Sequence, residues 1–241
     1  MKKGIMVGCD KEQEWLLMWW WKHYRKHNPY PVAFVDFGMT AEARKWCKYK
    51  GEVISIERSK DFMMPESLIN KDLVSEWEER FGKISWNARK QRFLKPFAML
   101  QTPFDQTIWS DLDCEITGSI LPLFQKIHPH SGIAIGPEQV TSSEEVRYNS
   151  GVIAFNRDSF LIERWAQACL CCNDRFFSDQ DVLGFLIHHE DVEVAEITGK
   201  YNWCLNAGVN IEAIIIHWNG LWGKEVLRRE INKAHHSNQL L

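Results

Sequence analysis

The chain has 241 residues, with 29 Lys and Arg against 32 Asp and Glu, and therefore a formal net charge of −3. Its 45% hydrophobic and 25% charged residues exclude a disordered chain, a collagen-like repeat and a small disulfide-stabilised scaffold. The near-neutral balance also argues against a dedicated nucleic-acid-binding protein, which would be strongly basic.

The N-terminal residues predict neither a signal peptide nor a membrane anchor. Met1-Lys2-Lys3 leads into a short apolar run that already ends at Asp10. The longest apolar run, Trp15–Trp21, is far shorter than the roughly 20 residues that span a bilayer. Seven cysteines without zinc-type spacing indicate reduced thiols packed in the core. We therefore expect a cytoplasmic protein without a transmembrane segment.

The first quarter of the chain alternates short β-branched runs with longer helical patterns. This order is typical of a mostly parallel sheet covered by helices on both faces. The predicted strands are Gly4–Cys9, Val32–Asp36 and Glu52–Ile56, and the predicted helices are Lys11–His27 and a Thr40-capped helix to Lys50.

The remainder of the chain continues this pattern after a polar, irregular or helical excursion over residues 59–82. No repeat or linker interrupts it, so the sequence predicts one α/β domain over residues 1–241. The predicted helices are Trp86–Leu100, Asp158–Cys172, Ser178–His188 and a charged tail from Gly223; the predicted strands are Thr107–Ser110, Ile133–Gly136, Asn149–Phe155, Glu193–Ile197 and Glu212–His217.

An acidic motif, Asp111-Leu112-Asp113, directly follows one predicted strand. In an extended segment, side chains two residues apart point to the same face, and open α/β sheets bind ligands at the carboxyl ends of their strands. Two neighbouring carboxylates repel each other unless a cation, such as a hard divalent metal, neutralises them. The motif alone is common in surface turns. It also resembles haloacid-dehalogenase phosphatases, but Glu115 stands where they carry Thr or Val.

Three further polar segments lie at the ends of apolar elements. Tyr148–Val152 places a glycine where a backbone can closely approach a ligand. Ser178–Asp181 places two carboxylates and an amide on the first turn of a helix, where capping is the simpler explanation for one acid. His217 ends an apolar strand and precedes Gly220 and Lys224, which makes it a candidate ligand rather than a core histidine.

In their shared order, these segments resemble the retaining nucleotide-sugar glycosyltransferases of family eight, which include glycogenin and bacterial lipopolysaccharide galactosyltransferases. The resemblance implies the GT-A fold, with a mostly parallel sheet and a Rossmann-like nucleotide-binding half. The segments that carry it are Val7–Asp10, Lys95, Asp111–Asp113, Asn149–Val152, Asp179–Asp181, Tyr201-Asn202, and His217–Gly220 with Lys224.

The resemblance implies a metal-dependent transfer of one sugar from a nucleoside-diphosphate donor, such as a UDP-sugar, to an acceptor hydroxyl with retention. The ligands of Mn²⁺ or Mg²⁺ would be Asp111, Asp113 and His217. Donor-binding positions would be Asp10 against the nucleoside, together with Lys95, Asp111, Lys224 and Gly220. The positions around the transferred sugar would be Asn149, Asp179 and Gln180, with Gln180 near the anomeric carbon.

The chain departs from the family pattern at two places. Lys224 follows Gly220 by three intervening residues rather than two, and no Pro-Trp comes after it. The family commonly has an aromatic residue or Asn soon after its first-strand Asp, whereas this chain continues with Lys11-Glu12-Gln13-Glu14-Trp15, so recognition of the base is expected to differ.

The sequence leaves two alternative functions open. A sugar-nucleotide synthase would be expected to carry a Gly-rich, Arg-containing phosphate loop, which Gly8–Glu12 does not supply. A non-catalytic sugar- or nucleotide-binding domain would share the fold without turnover. The acceptor, whether a carbohydrate, a glycolipid or a protein, would meet variable loops at residues 59–82 and 139–147.

The chain is rich in tryptophan, with twelve residues. Helical spacing of Trp15, Trp19 and Trp20 predicts core packing rather than a sugar platform or a membrane-facing patch. Trp218 and Trp222 are the better candidates for stacking on a sugar ring. The charged tail after Lys224 predicts a solvated helix, with peripheral contact to an anionic membrane as the alternative.

Overall fold

The structure is a computed structural model that describes residues 1–56, 62–139 and 146–238, with side chains described to residue 233. The expected loops at 59–82 and 139–147 therefore lie partly outside the described residues. Within the first, Glu66–Leu68 forms a 3₁₀ turn and a helix follows at Lys71–Phe81, so the excursion is partly helical.

The described residues form two sheets. The strands are β1 (Lys3–Cys9), β2 (Val32–Asp36), β3 (Glu52–Ser55), β4 (Gln106–Ser110), β5 (Cys114–Ile116), β6 (Ile133–Pro137), β7 (Tyr148–Asn156), β8 (Ala195–Glu196), β9 (Trp203–Cys204) and β10 (Ile215–His217). The central sheet has the order β3-β2-β1-β4-β7-β6-β8, and a small second sheet has the order β5-β10-β9. In the central sheet only β7 is antiparallel to its neighbours, β4 and β6, so the mostly parallel sheet is confirmed.

Helices cover both faces of the central sheet, as predicted. They are α1 (Leu17–His27), α2 (Ala41–Lys50), α3 (Lys71–Phe81), α4 (Trp86–Met99), α5 (Leu121–Phe124), α6 (Phe160–Cys171), α7 (Asp179–His189) and α8 (Gly220–Asn238). The alternation of side chains along β1 sends Met6 into a core shared with α4, α6 and α7. Ile5 and Val7 point to the opposite core, which α1 and α5 cover.

Local capping chemistry fixes where two helices begin. The Thr40 hydroxyl accepts a hydrogen bond from the Ala43 amide at 3.2 Å, which starts α2. Ser178 and Asp181 cap each other's backbone amides in a full capping box, so the weak signal at α7 is confirmed.

The helix predicted over Lys11–His27 starts too early, because α1 begins only at Leu17. The Asp10 carboxylate accepts from the Gln13 amide at 2.7 Å, and a 3₁₀ turn at Glu14–Leu16 precedes α1. The side chain of Asp10 thus competes with regular helical hydrogen bonding, as Asp commonly does at such positions.

Other predicted elements differ at their ends. Glu193–Ile197 shortens to β8, Glu212–His217 shortens to β10, and the helix predicted to Leu100 ends at Met99. Strands β5 and β9 were not predicted, since two or three residues carry too little periodicity to be recognised.

The N-terminal tryptophans belong to the core, as expected. Trp20 is fully buried and stacks on Tyr24 with ring centroids 5.0 Å apart. Trp15, Trp19 and Trp21 are half-buried and pack on the same cluster.

Among the helices that the structure describes, none is both long and apolar enough to cross a lipid bilayer.

Candidate donor and metal site

The candidate residues meet at one edge of the central sheet. Asp10 follows the carboxyl end of β1, and Asp111 follows the carboxyl end of β4. Because β7 runs in the opposite direction, its first residues lie at this same edge. There the Asp111 amide donates to the Gly151 carbonyl at 2.8 Å. The direction of β7 thus joins the acidic motif to Asn149-Ser150-Gly151.

The acidic motif is a turn, not an extended segment. The Cys114 amide donates to the Asp111 carbonyl at 3.1 Å, which folds the chain at Leu112-Asp113. The expectation that both carboxylates share one face of a strand is therefore wrong. Instead, Asp111 pairs with Lys95 and Asp113 pairs with Lys224 and His217.

Lys95, on α4, is the cation at the centre of the site. Its ammonium lies 3.0 Å from Asp111 Oδ1 and 3.7 Å from Asp179 Oδ2, and it donates to the Ser150 carbonyl and hydroxyl at 3.2 and 3.1 Å. Burial alone would lower the pKa of Lys95, but the two carboxylates outweigh it and raise that pKa above its ordinary value. Lys95 therefore stays charged although its side chain is buried.

Asp113 is buried between two cationic groups. Its Oδ2 lies 3.1 Å from Lys224 Nζ and its Oδ1 lies 3.3 Å from His217 Nε2. Burial alone would raise the pKa of Asp113, but Lys224 and His217 outweigh it and hold that pKa far below its ordinary value. Conversely, burial alone would lower the pKa of His217, and Asp113 raises it to about 10.

A chain of amides fixes the orientation of the His217 ring. Asn202 Oδ1 lies 3.1 Å from His217 Nδ1, and Asn202 Nδ2 donates to Asn149 Oδ1 at 2.9 Å. With Nδ1 held this way, Nε2 faces the carboxylates. Asn149, expected beside the transferred sugar, uses its side-chain oxygen to support this ring, since it also accepts from the Gly151 amide at 2.9 Å.

Gly151 is required by the His217 ring. A Cβ at this position would lie 2.2 Å from Cε1 and 2.5 Å from Nδ1 of His217. The glycine that the sequence placed near a ligand thus makes room for a buried imidazole.

The first turn of α7 lies beside these residues. Asp179 is buried, and its Oδ2 accepts from the Ser150 hydroxyl at 3.2 Å. Burial raises the pKa of Asp179, while the nearby Lys95 opposes that increase. Gln180 accepts from the Ser150 amide at 3.1 Å and donates to Glu138 Oε1 at 2.7 Å. All the predicted sugar-site residues are therefore gathered around Ser150.

The donor atoms fit a hard divalent cation. Oxygen and nitrogen atoms of Asp113 and His217, together with the Cys114 sulfur, lie within 4.8 Å of one another. Burial raises the pKa of the Cys114 thiol well above its ordinary value, so this residue is a poor ligand. Asp111 Oδ2 lies 4.0 Å from His217 Nε2. Carboxylates with one imidazole suit Mn²⁺ or Mg²⁺ better than a soft metal.

A cavity of about 140 Å³, here called the donor cavity, opens against this cluster. Lys224, whose spacing departs from the family pattern, lines it. Gly220 does not line it; it begins α8 with a φ of 76°, a conformation that favours glycine. The predicted residues in the lining are Asp10, Lys95, Asp111, Asp113 and Lys224.

The sequence analysis missed several residues of the site. Trp109 Nε1 donates to Asp111 Oδ1 at 2.7 Å, and Arg92 lines the donor cavity one turn before Lys95. The alternation of β4 could have placed Trp109 near the motif, and helical spacing could have placed Arg92 beside Lys95. No pattern in the sequence around Glu138 points to its place in the site. Neither of the expected stacking residues lines the donor cavity: the Trp218 indole donates to Glu115 Oε2 at 3.0 Å, and Trp222 is largely exposed.

No family model and no curated protein sequence matches the chain. Solved glycosyltransferase structures do match it. The galactosyltransferase LgtC, solved with donor and acceptor sugar analogues, shares 13% identity over 90% of this chain and 87% of its own, with a TM-score of 0.63. GlyE of Streptococcus pneumoniae shares 14% identity over 91% of this chain and 55% of its own (TM-score 0.61). Mouse xyloside xylosyltransferase 1 shares 14% identity over 90% of this chain and 97% of its own, with a TM-score of 0.56. The chain therefore has the GT-A glycosyltransferase fold.

Proposed function

We propose that this protein is a metal-dependent glycosyltransferase that transfers one sugar from a nucleoside-diphosphate donor to an acceptor hydroxyl. The observation that carries the proposal is the cluster of Asp111, Asp113 and His217 beside the donor cavity, with two lysines within ion-pair distance of the acids. The GT-A fold supports the reaction class, and the resemblance of the site segments supports a UDP-sugar donor and retention.

The charges of the site suit a bound diphosphate. Asp111, Asp113 and His217 would hold Mn²⁺ or Mg²⁺, which supplies Lewis-acid stabilisation of the leaving diphosphate. Lys95 and Lys224 add fixed positive charge at the same cavity, where the phosphates of the donor would lie. Asp10 follows the carboxyl end of β1 and lines the same cavity, where it would contact the nucleoside.

The transfer step makes one bond and breaks one bond at the anomeric carbon. The acceptor oxygen bonds to that carbon, the bond to the phosphate oxygen breaks with its electron pair, and the hydroxyl proton passes to the departing diphosphate. Gln180, whose amide is held by Ser150 and Glu138, would be the side chain beside this centre. A carbon with developing positive charge needs an oriented dipole more than a strong acid.

Calorimetry of UDP binding with and without MnCl₂ tests the metal site. We expect the wild type to bind UDP more tightly when Mn²⁺ is present. In the presence of Mn²⁺, Asp113→Ala should bind UDP about 100-fold more weakly than the wild type, because a buried metal ligand is lost. Asp158→Ala removes an exposed acid of the same type and serves as the matched control. Equal UDP affinity with and without the metal would contradict the proposal.

A screen of nucleotide sugars for Mn²⁺-dependent hydrolysis tests turnover and identifies the donor. We expect Gln180→Ala to lower the hydrolysis rate by roughly 100-fold or more while UDP affinity is kept, because the amide acts on the transition state. Metal-dependent UDP binding without hydrolysis of any nucleotide sugar would favour the non-catalytic binding domain instead.

A further inference from the structure

Two helices on one face of the central sheet are strongly basic, although the whole chain is not. Both pack on the same core, α1 through Trp20 and α2 through Cys47. Helix α1 carries three Lys and Arg and no acid, and α2 carries four against the single acid Glu42, so together they have a net charge of +6. The whole chain has a net charge of −3. Positive charge concentrated in this way attracts a polyanionic partner to this side of the molecule.

Aromatic rings from both helices meet at the surface between them. The rings of Trp21 on α1 and Trp46 on α2 contact edge to face, with centroids 6.0 Å apart. The Lys50 ammonium lies 5.6 Å from the Trp21 centroid and 5.8 Å from the Trp46 centroid. It also lies 5.1 Å from the Tyr49 ring, and the Arg25 guanidinium lies 5.4 Å from Trp21. Cation–π contacts thus join these five residues, here called the aromatic patch.

The rings of the aromatic patch are apolar on one side and wet on the other. Trp21 and Trp46 are half-buried and pack against the core. Neither indole N–H has a hydrogen-bond partner among the described residues, where Arg89 Nε is the only side-chain atom that is both buried and unpartnered. Both indole nitrogens therefore reach solvent, and Tyr49 is 85% exposed. Rings of this kind are typical of the headgroup layer of a membrane.

The surface around the aromatic patch carries further groups that suit a lipid headgroup layer. Met18, one helical turn before Trp21, is an apolar side chain that is 58% exposed. Lys22 on α1 and Lys45 on α2 are exposed, and neither lies within ion-pair distance of a carboxylate in the described part of the chain. These two ammonium groups are therefore available to phosphate groups outside the protein.

The tail helix α8, the other basic segment considered for membrane contact, has its cations largely occupied. Arg229 pairs with Glu225 and Lys233 pairs with Glu230 on the same helix. The Arg228 guanidinium stacks on the Trp15 ring at 4.9 Å. The observations therefore favour α1 and α2 over the tail.

We propose that α1 and α2 dock on the headgroup layer of an anionic lipid membrane. The aromatic patch would lie at the level of the headgroups, and Lys22 and Lys45 would bind lipid phosphates. Each Lys or Arg near such a surface strengthens partitioning by about fivefold, and the rings add apolar contact. A nucleic acid is another polyanion, but the negative chain as a whole and the exposed thioether of Met18 fit it less well.

Co-sedimentation with vesicles of phosphatidylcholine, with and without phosphatidylglycerol, tests the proposal. We expect the wild type to bind only the vesicles that contain phosphatidylglycerol, and added NaCl to release it because salt screens the attraction. Lys22→Glu combined with Lys45→Glu should weaken partitioning by roughly 25-fold or more. Tyr49→Ala removes an exposed ring and should weaken it roughly fivefold.

Lys71→Glu combined with Lys83→Glu is the matched control. It makes the same change of net charge at two exposed lysines beside α3, which packs on the segment before α7. Circular dichroism should show the wild-type fold for every variant, since all the exchanged side chains are exposed. The control should bind anionic vesicles nearly as tightly as the wild type.

Equal wild-type binding to both kinds of vesicle, or an equal loss in the two double variants, would overturn the inference. Binding of a single-stranded oligonucleotide without binding of anionic vesicles would also overturn it, because the partner would then be a nucleic acid. So would a homodimer that Tyr49→Ala dissociates while vesicle binding is unchanged. The samples contain no nucleotide and no metal, so the result is independent of the proposed glycosyl transfer.

Discussion

Adding one methyl group at Gly151 is expected to damage both the fold and the metal site. The new Cβ would lie 2.2 Å from His217 Cε1, whereas ordinary contact begins near 3.4 Å, so the ring would have to move by about 1.2 Å. Such a movement breaks the contacts of His217 with Asn202 and Asp113, which are 3.1 and 3.3 Å long.

The magnitude follows from two costs. Overpacking of a buried site costs about 1–3 kcal/mol, and a lost buried hydrogen bond costs about 1 kcal/mol more. Gly151→Ala should therefore lower the free energy of unfolding by about 2–4 kcal/mol, which corresponds to a melting temperature roughly 4–15 °C lower for a chain of this size.

Differential scanning calorimetry measures the melting temperature, and calorimetric titration with UDP in the presence and absence of MnCl₂ measures metal-dependent binding. We expect Gly151→Ala to lose metal-dependent binding even at temperatures where it is fully folded. A variant with wild-type melting temperature and wild-type metal dependence would show that the His217 ring is not held as described.

Three further outcomes are expected. Gly184→Ala should raise the free energy of unfolding by about 0.5–1 kcal/mol in urea denaturation, since its Cβ meets no neighbour; destabilisation would contradict this. Arg89→Met should lower the free energy of unfolding by about 2–4 kcal/mol, because Arg89 is buried and donates to the carbonyls of Asn173 and Phe176. A loss of stability below about 1 kcal/mol would contradict this. Burial raises the pKa of Cys47 to about 12, so this thiol should resist a thiol reagent at pH 8. Its contribution to the free energy of unfolding should fall as the pH rises above about 9, where the thiol of the unfolded chain ionises. Rapid labelling of Cys47 in the folded protein would contradict this.

The sequence predicted the elements that have long periodic patterns. Strand β2 has the predicted bounds, α2 begins at the predicted cap, and α7 begins at its capping box, because each has a local signal in its own residues. Strand β5 has no such signal. It forms only because β10 returns from a hundred residues later to pair with it.

The candidate site likewise has a part that the sequence predicted and a part that it did not. That Asp111, Lys95 and His217 would come together was expected from a resemblance in their order along the chain. The turn at Asp111–Asp113 and the support of His217 by Asn202 depend on contacts between distant segments, so no local pattern could have predicted them. The extended geometry assumed for the acidic motif failed because the Cys114 amide bonds back to Asp111.

The reversed direction of β7 couples parts of the site that lie far apart in the chain. Its first residues, Asn149–Gly151, are hydrogen-bonded both to Asp111 at the end of β4 and to Asn202, which holds the His217 ring. A shift at the start of β7 would therefore displace the acidic motif and the imidazole together, so substitutions in these residues would have to arise in concert.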